Sequence, residues 1–374
     1  VFVVDDGSAP GVRAKLRLAL SPYPNVTFVE LETNRGPAAA RNVGAATADA
    51  HAEVIVFVDS GVEVTRDGLD RLAGWLAADV ADAHSGVRFV ASAPRVATTP
   101  AATATARYEE KHSPLDMAGP GSAQASLVGP GRSVSYVPSA VLAVRRDGFE
   151  GVGGFDESMR YGEDVDLIWR MSDVGWSTVL DPAAVASHPA RRSVQMLAVQ
   201  RFRYGSSAGP LTTRHGDLVA PAAAKLTVMA ASVVLLVAPW RTGLGALVAA
   251  MGVNASRVGN RVDEAAEGHP GSFANGAVES LRLDLASLTS IGRASLRAWW
   301  PLSACLLVQP FSSRLRRRLL AVLLSAVVVR GTSGSATNVL VSLVDDLAYG
   351  AGVWRGAASS RSWAAVTPRV VRER

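Results

Sequence analysis

The sequence predicts an α/β domain, a mainly parallel sheet flanked by helices, followed by an apolar and mostly helical C-terminal region. Two observations carry the first half. Valine-rich apolar runs at residues 1–4, 26–31 and 53–58 alternate with helix-like stretches at 12–20, from Pro37, and over 67–76. The resulting βαβαβα order favours parallel strands under helices. A third observation concerns the second half: hydrophobic residues at 48%, charged residues at 19% and a mean hydropathy of +0.19 over 374 residues exceed what an ordinary soluble chain carries.

Composition also bounds the partners. The single cysteine, Cys305, cannot close an intramolecular disulfide, which points to a reducing compartment and the cytoplasmic side. The net charge of +5 is modest, and the basic residues are bunched, as at 314–318. Aromatic residues make up only 6% and no basic stripe is interleaved with stacking rings, so nucleic acid is not an expected partner.

Residues 1–8, VFVVDDGS, read as a buried strand delivering Asp5 and Asp6 to its end, with Gly7 and Ser8 turning the chain. Such carboxylates accept hydrogen bonds from a ribose hydroxyl or a base N–H, or serve only the turn. In NRGPAAARN (34–42), Pro37 opens a helix, and small residues let it lie close on a sheet. Arg35, Gly36 and Arg41 stand where an anionic ligand would meet the helix N-terminus, or where arginines would simply be solvated. In VIVFVDSG (54–61) the apolar run ends at Asp59, a buried strand presenting one oxygen ligand for a hard divalent cation.

Between residues 98 and 132 periodicity disappears into Ala, Thr, Gly, Ser and Pro, which predicts a long mobile loop. A strand over 140–144 restores order. Gly153, Gly154, Phe155 and Asp156 then make a tight, exposed approach to a helix over 163–174. Glu163 and Asp164 lie in its first turn, where carboxylates are stabilised by the helix dipole or act as a general base toward a substrate hydroxyl. His188 follows a strand-like 178–180. A phospho-receiver domain would also use Asp5, Asp6 and Asp59, but it needs a lysine at a later strand end. Lys111 lies in the polar RYEEKHSP, and that reading leaves Glu163, Asp164 and His188 without use.

The ordered set VDDGS, NRGPAAARN, FVDSG, GGFDE, GEDVDL and SHPARRS resembles the family-2 glycosyltransferases of GT-A fold over residues 1–204, with 205–374 similar to the membrane-associated tails of some members. More narrowly, VPSAVLAVRRDGFEGVGGFDESMRYGEDVDLIWRM and DDLAYGAGVWRG resemble the glycosyltransferases of mycofactocin biosynthesis, which glycosylate a peptide-derived redox cofactor. In this family a strand and turn precede the DDGS strand, so the resemblance implies that Val1 is an internal position of a longer chain. It implies donor contacts at Asp5, Asp6, Gly7, Ser8, Arg35, Gly36, Arg41 and Asp59, and an acceptor side at Gly153, Gly154, Phe155 and Asp156. It implies a Mg²⁺ or Mn²⁺ ion at Asp59 and His188, and Asp164 as catalytic base with Glu163 beside it. Gly61 replaces the second carboxylate of the family's Asp-X-Asp motif, which removes one oxygen ligand. The implied reaction is inverting transfer from a nucleotide sugar, UDP-glucose by the narrower resemblance, to an acceptor hydroxyl. The alternatives are a transferase for cell-envelope or lipid-linked glycan and a non-catalytic nucleotide- or glycan-binding scaffold. A two-carboxylate hydrolase would leave the nucleotide contacts without purpose.

In the second half, the apolar run 226–238 with 218–224 approaches the roughly 20 residues that span a bilayer. It reads as a span or as buried helices of a bundle. The shorter apolar runs 243–255, 301–308 and 319–329 suit interfacial or packed helices. The basic cluster at 314–318 would suit an anionic leaflet. The expectation is a membrane-surface partner and a location at the cytoplasmic membrane, with the catalytic domain on its cytoplasmic side.

Overall fold

A computed structural model describes residues 1–77, 87–99, 102–119, 121–267, 269–308, 312–329 and 336–371. The chain divides into two compact units, Val1–Met196 and Leu197–Arg374.

The first unit is a mixed α/β fold. Its order is β1 (Phe2–Asp6), α1 (Pro10–Leu20), β2 (Thr27–Leu31), α2 (Pro37–Thr47), β3 (Val54–Val58), β4 (Glu63–Val64), α3 (Arg66–Trp75), β5 (Phe89–Thr99), α4 (Ala104–His112), β6 (Ser126–Val128), β7 (Val141–Arg145), α5 (Arg146–Gly151), α6 (Glu163–Asp173) and β8 (Ser177–Pro189). Strands β1 and β2 form a parallel pair. The larger sheet runs β3-β7-β5-β8-β4, with β6 also on β8. Only its β5–β8 pairing is parallel; β3–β7, β5–β7, β4–β8 and β6–β8 are antiparallel.

The expected mainly parallel sheet is therefore corrected to a mixed one. The reason lies in β7. Its residues Val141, Leu142, Ala143 and Val144 are all buried because the strand sits between β3 and β5, covered on both faces. An unbroken apolar run reports that two-sided burial, which is shared by parallel strands and by central antiparallel ones. The expected structureless loop is corrected as well. Thr103 accepts a hydrogen bond from the Ala106 N–H (3.1 Å) and starts α4, which buries Ala106, Tyr108 and Glu109; residues 100, 101 and 120 of that stretch lie outside the described residues. The core of the unit gathers Leu72 and Leu76 against Phe89, Val96, Val141, Ala143 and Val179.

The second unit begins within α7 (Val194–Ser206) and continues through α8 (Ala208–His215), β9 (Ala223–Ala224), α9 (Leu226–Val237), α10 (Trp240–Ala265), α11 (Ser272–Arg297), α12 (Trp300–Val308), α13 (Ser313–Val329), α14 (Ala336–Ser360) and β10 (Arg369–Val370). Among the described residues no helix is long and apolar enough to cross a membrane. This corrects the membrane-associated tail, and the membrane-surface partner and cytoplasmic-membrane location fall with it.

The stretch 218–224 starts in the last residues of a single 3-10 turn (Gly216–Val219) and ends in a short strand, with no α-helix. Helix α9 has 12 residues, about 18 Å of rise against the roughly 30 Å of a hydrocarbon core. The longer helices bury polar groups for one another. Lys225 pairs with Asp284 at 3.0 Å, and the Asn254 amide donates to the same carboxylate. The basic cluster has a structural use too, since the Arg318 guanidinium donates to the Leu235 carbonyl (2.8 Å) and to that of Ala238, closing the C-terminus of α9.

Helices α7 and α8 meet α14 through glycines at four-residue spacing. A Cβ on Gly205 would fall on the Tyr349 carbonyl oxygen and one on Gly209 on that of Gly356; one on Gly352 would fall on that of Phe202. Backbone occupies the space a side chain would need, so relief requires moving a helix. Gly209→Ala is expected to cost about 3 kcal/mol, measured as a drop in the urea midpoint. Gly245→Ala, where a Cβ meets nothing within 4 Å, is the control and should not destabilise.

Candidate active site

Strand β1 brings Asp5 and Asp6 to the α1–α2 edge of the first unit, and both carboxylates are used by the backbone around them. Asp5 is buried and accepts from the Ser8 N–H (3.1 Å) and from Arg13 Nε (2.9 Å). Burial pushes its acid up, but those hydrogen bonds and the Arg13 charge outweigh it and hold the pKa below the usual range. Asp6 accepts from the Arg35 N–H (2.7 Å) and the Gly36 N–H (2.8 Å), tying β1 to the entry of α2. Gly7, at φ +75°, is obligatory: a Cβ there would overlap the Asn34 backbone. Arg35 reaches out to Glu157 at 2.6 Å.

Arg41, one turn into α2, joins the two halves of the predicted site. Its Nη2 meets Asp59 at the end of β3 (2.6 Å) and its Nη1 meets Glu163 at the head of α6 (2.9 Å). The guanidinium lies 5.3 Å from the centroid of Phe155, a ring set edge-on to Phe57 and Phe149. Burial opposes the Arg41 charge, but Asp59 and Glu163 outweigh it and raise its pKa.

The first turn of α6 carries Glu163, Asp164 and Asp166 after Gly162, which is left-handed at φ +81°. Burial, then the neighbouring Asp164 carboxylate, push Glu163 up to about 7 against the pull of Arg41. Burial likewise raises Asp164, opposed by hydrogen bonds from the backbone of Val165 (2.8 Å) and Ser139. Asp166 is fully buried and pairs with Arg170 at 2.7 Å. Arg170 donates to the carbonyls of Val152 (2.5 Å) and Gly154 (2.7 Å), so the GGFDE turn is fastened to α6. Of that turn, Phe155 joins the site through Arg41. Gly153 is exposed, Gly154 is pressed against the Asn42 side chain, and Asp156 accepts from the Ser158 N–H (2.9 Å) and hydroxyl.

His188 lies near the end of β8, opposite Thr98 and one residue past Ser187, which pairs with Glu63 of β4. The turn from Asp59 through Gly61 leads into β4. Burial and the Arg191 charge lower the His188 pKa, while Glu109 and Asp59 pull it up. A Cβ at Gly61 would meet nothing within 4 Å. Among the described residues no three His, Cys, Asp or Glu side chains gather as a metal site.

The structure thus brings Arg41, Asp59, Phe155, Glu163 and Asp164 together. It sets Asp5, Asp6, Gly7, Ser8, Arg35 and Gly36 as a hydrogen-bonded corner beside α2. Sequence reasoning missed Asn42, whose amide donates to the Phe155 carbonyl (2.9 Å) and accepts from its N–H (3.0 Å). It also missed the use of Arg170 and Asp166, although their i,i+4 spacing on a helix was a readable pairing signal.

The family model for glycosyl transferase family 2 matches residues 1–122. The chain belongs to that family and is a glycosyltransferase that uses a nucleotide-sugar donor. It is 33% identical to the pre-mycofactocin glycosyltransferase of Mycobacterium tuberculosis (strain ATCC 25618 / H37Rv) over 387 aligned residues, 99% of this chain and 77% of that one. Glycosyltransferase AglE of Haloferax volcanii is 27% identical over 206 residues, 55% of this chain and 61% of its own. The mannosyltransferase PcManGT of Pyrobaculum calidifontis, solved with GDP-Man and Mn²⁺, covers 87% of this chain and 77% of its own at 16% identity, with a TM-score of 0.39, too low to carry a residue correspondence.

Proposed function

We propose that the protein transfers glucose from UDP-glucose, with inversion, to a hydroxyl of a mycofactocin-type, peptide-derived acceptor. The observation that carries this reading is the extent of the likeness to the pre-mycofactocin enzyme, which runs over 99% of the chain and so continues through the helical second unit, beyond the residues 1–122 that the family model matches.

The chemistry follows from the geometry of α2, β3 and α6. Asp164 takes the proton of the attacking hydroxyl. Its raised acid is suited to this, because a base is most effective when its pKa approaches the working pH. The hydroxyl oxygen bonds to the anomeric carbon as the bond to the diphosphate breaks on the opposite face, so a single displacement inverts that centre. Arg41 positions both sides by holding Asp59 and Glu163 in one ion-paired unit.

Asp59, part-exposed at the end of β3, and the half-buried His188 fit a divalent cation as one oxygen and one nitrogen ligand. The donor's phosphate oxygens would supply the rest, the usual mode for Mg²⁺. When bound, that ion would neutralise charge developing on the leaving diphosphate. Asp5 and Asp6 shape the corner in which the nucleotide lies; on the acceptor side Gly153 is exposed and Asp156 part-exposed, with Gly154 and Phe155 buried behind them.

The test is nucleotide release from a panel of UDP-sugars, with and without a chelator and with the mycofactocin precursor as acceptor. UDP-glucose turnover that the acceptor stimulates and the chelator suppresses is expected. No turnover with any donor despite nucleotide binding would overturn the reading in favour of a binding scaffold. Turnover only with a cell-envelope or lipid-linked glycan acceptor would move it to that alternative.

A further inference from the structure

The second unit holds a cavity of about 520 Å³ between α8, the segment before β9, α11 and α14, within the ~300–1,000 Å³ typical of small-molecule sites. It exists because its walls are small: Ala208, Ala220, Ala286, Ala294, Ala298 and Ala365 line it. One face of α11 supplies its polar side, with Thr289, Ser290, Arg293 and Arg297 on successive turns. Among the described residues that line it, none is acidic.

The two guanidinium groups differ in what they can offer. Arg297 is committed: it pairs with Asp346 (2.7 Å) and Asp345 (3.2 Å) and lies 3.8 Å over the Tyr349 ring, while Asp345 is shared with the buried Arg201 at 2.9 Å. That cluster balances its own charge. Arg293 is exposed and has no ion pair or hydrogen bond among the described residues, so its charge is unopposed at the cavity. The Ser290 hydroxyl accepts from the Ala223 N–H (3.3 Å), which leaves its own O–H to donate. The polar side therefore offers donors and a positive charge, and the remaining wall is aliphatic apart from the Tyr349 ring.

We infer that this cavity binds a small amphiphilic anion: an apolar chain seated among the alanines and ended by a carboxylate or phosphate monoester that Arg293 and Ser290 hold. The two headgroups share the chemistry of an acceptor-only anion.

Calorimetric titration of the full chain with octanoate, octyl phosphate and 1-octanol decides it. Saturable one-to-one binding of at least one anion, about tenfold tighter than octanol, is the size expected of one charge-assisted contact. The tighter of the two anions identifies the headgroup. Arg293→Ala should remove that tenfold preference and Ala286→Phe should abolish binding; both positions are exposed. Thermal melts check that both variants fold, and the wild-type comparison with octanol stands by itself if they do not. Absence of binding by both anions, octanol binding as well as either, or a folded Arg293→Ala variant that keeps the preference overturns the proposal.

Discussion

Replacing Asp164 with asparagine is expected to lower kcat by about 10²–10⁴-fold, the usual contribution of a positioned general base, and to leave nucleotide affinity unchanged within about twofold. Asparagine preserves the size of the side chain and, through its carbonyl oxygen, the hydrogen bond from the Val165 N–H. What it removes is the ability to take the hydroxyl proton. It also removes the carboxylate that helps push Glu163 up to about 7, so Glu163 should become more acidic in the variant, visible as a lower pKa in the pH profile of residual turnover. Single-turnover rates and nucleotide titration on the same preparation separate the steps. Unchanged kcat, or loss of nucleotide binding with a folded protein, would remove Asp164 from the role of base.

The acidic ends of strands were readable because their chemistry is local. Apolar runs stop at Asp5 and at Asp59, Pro37 starts α2 as expected, and the carboxylates of α6 stand in its first turn. Strand direction was not readable, since β7 is apolar for being central and reports nothing of its orientation. Helix α4 was hidden because its buried face includes Thr105 and Glu109, which no hydrophobic period marks. The apolar second unit misled for a related reason. Its hydropathy comes from leucine, valine and alanine in helices that approach closely at Gly205, Gly209, Gly352 and Gly356, and small residues at helix contacts, common between membrane helices, do not by themselves show a span. Least readable was the Arg41 bridge, because its partners lie 18 and 122 residues away and only the folded chain selects them from 33 acidic side chains.

That bridge carries the second large effect. Arg41→Met keeps a long side chain under Phe155 but leaves Asp59 and Glu163 without their shared counter-charge. Removing one member of a buried ion pair costs about 3–5 kcal/mol. The lower figure applies here because the Asp59 side chain is 42% exposed and partly rehydrates. The loss should depend on pH, and its sign is fixed by Glu163. Its folded pKa of about 7 lies above the ordinary 4.5, so between these values the folded chain holds a proton that the unfolded chain has released, and stability falls as pH rises through that window. Without Arg41 the folded pKa moves higher still, and the fall continues above pH 7. At pH 5 Glu163 is protonated in both proteins, and the variant loses the Asp59 pair, the hydrogen bond to a neutral Glu163 and the cation over Phe155. The difference in Tm between wild type and Arg41→Met should therefore be small at pH 5 and widest near pH 8. In a Glu163→Gln background, where that side chain is neutral at every pH, the widening should shrink to the part contributed by Asp164, which the Arg41 charge also pulls down. A gap that stays constant with pH, or one that widens toward pH 8 just as much in the Glu163→Gln background, would mean that the charge of Glu163 is not what Arg41 holds in place.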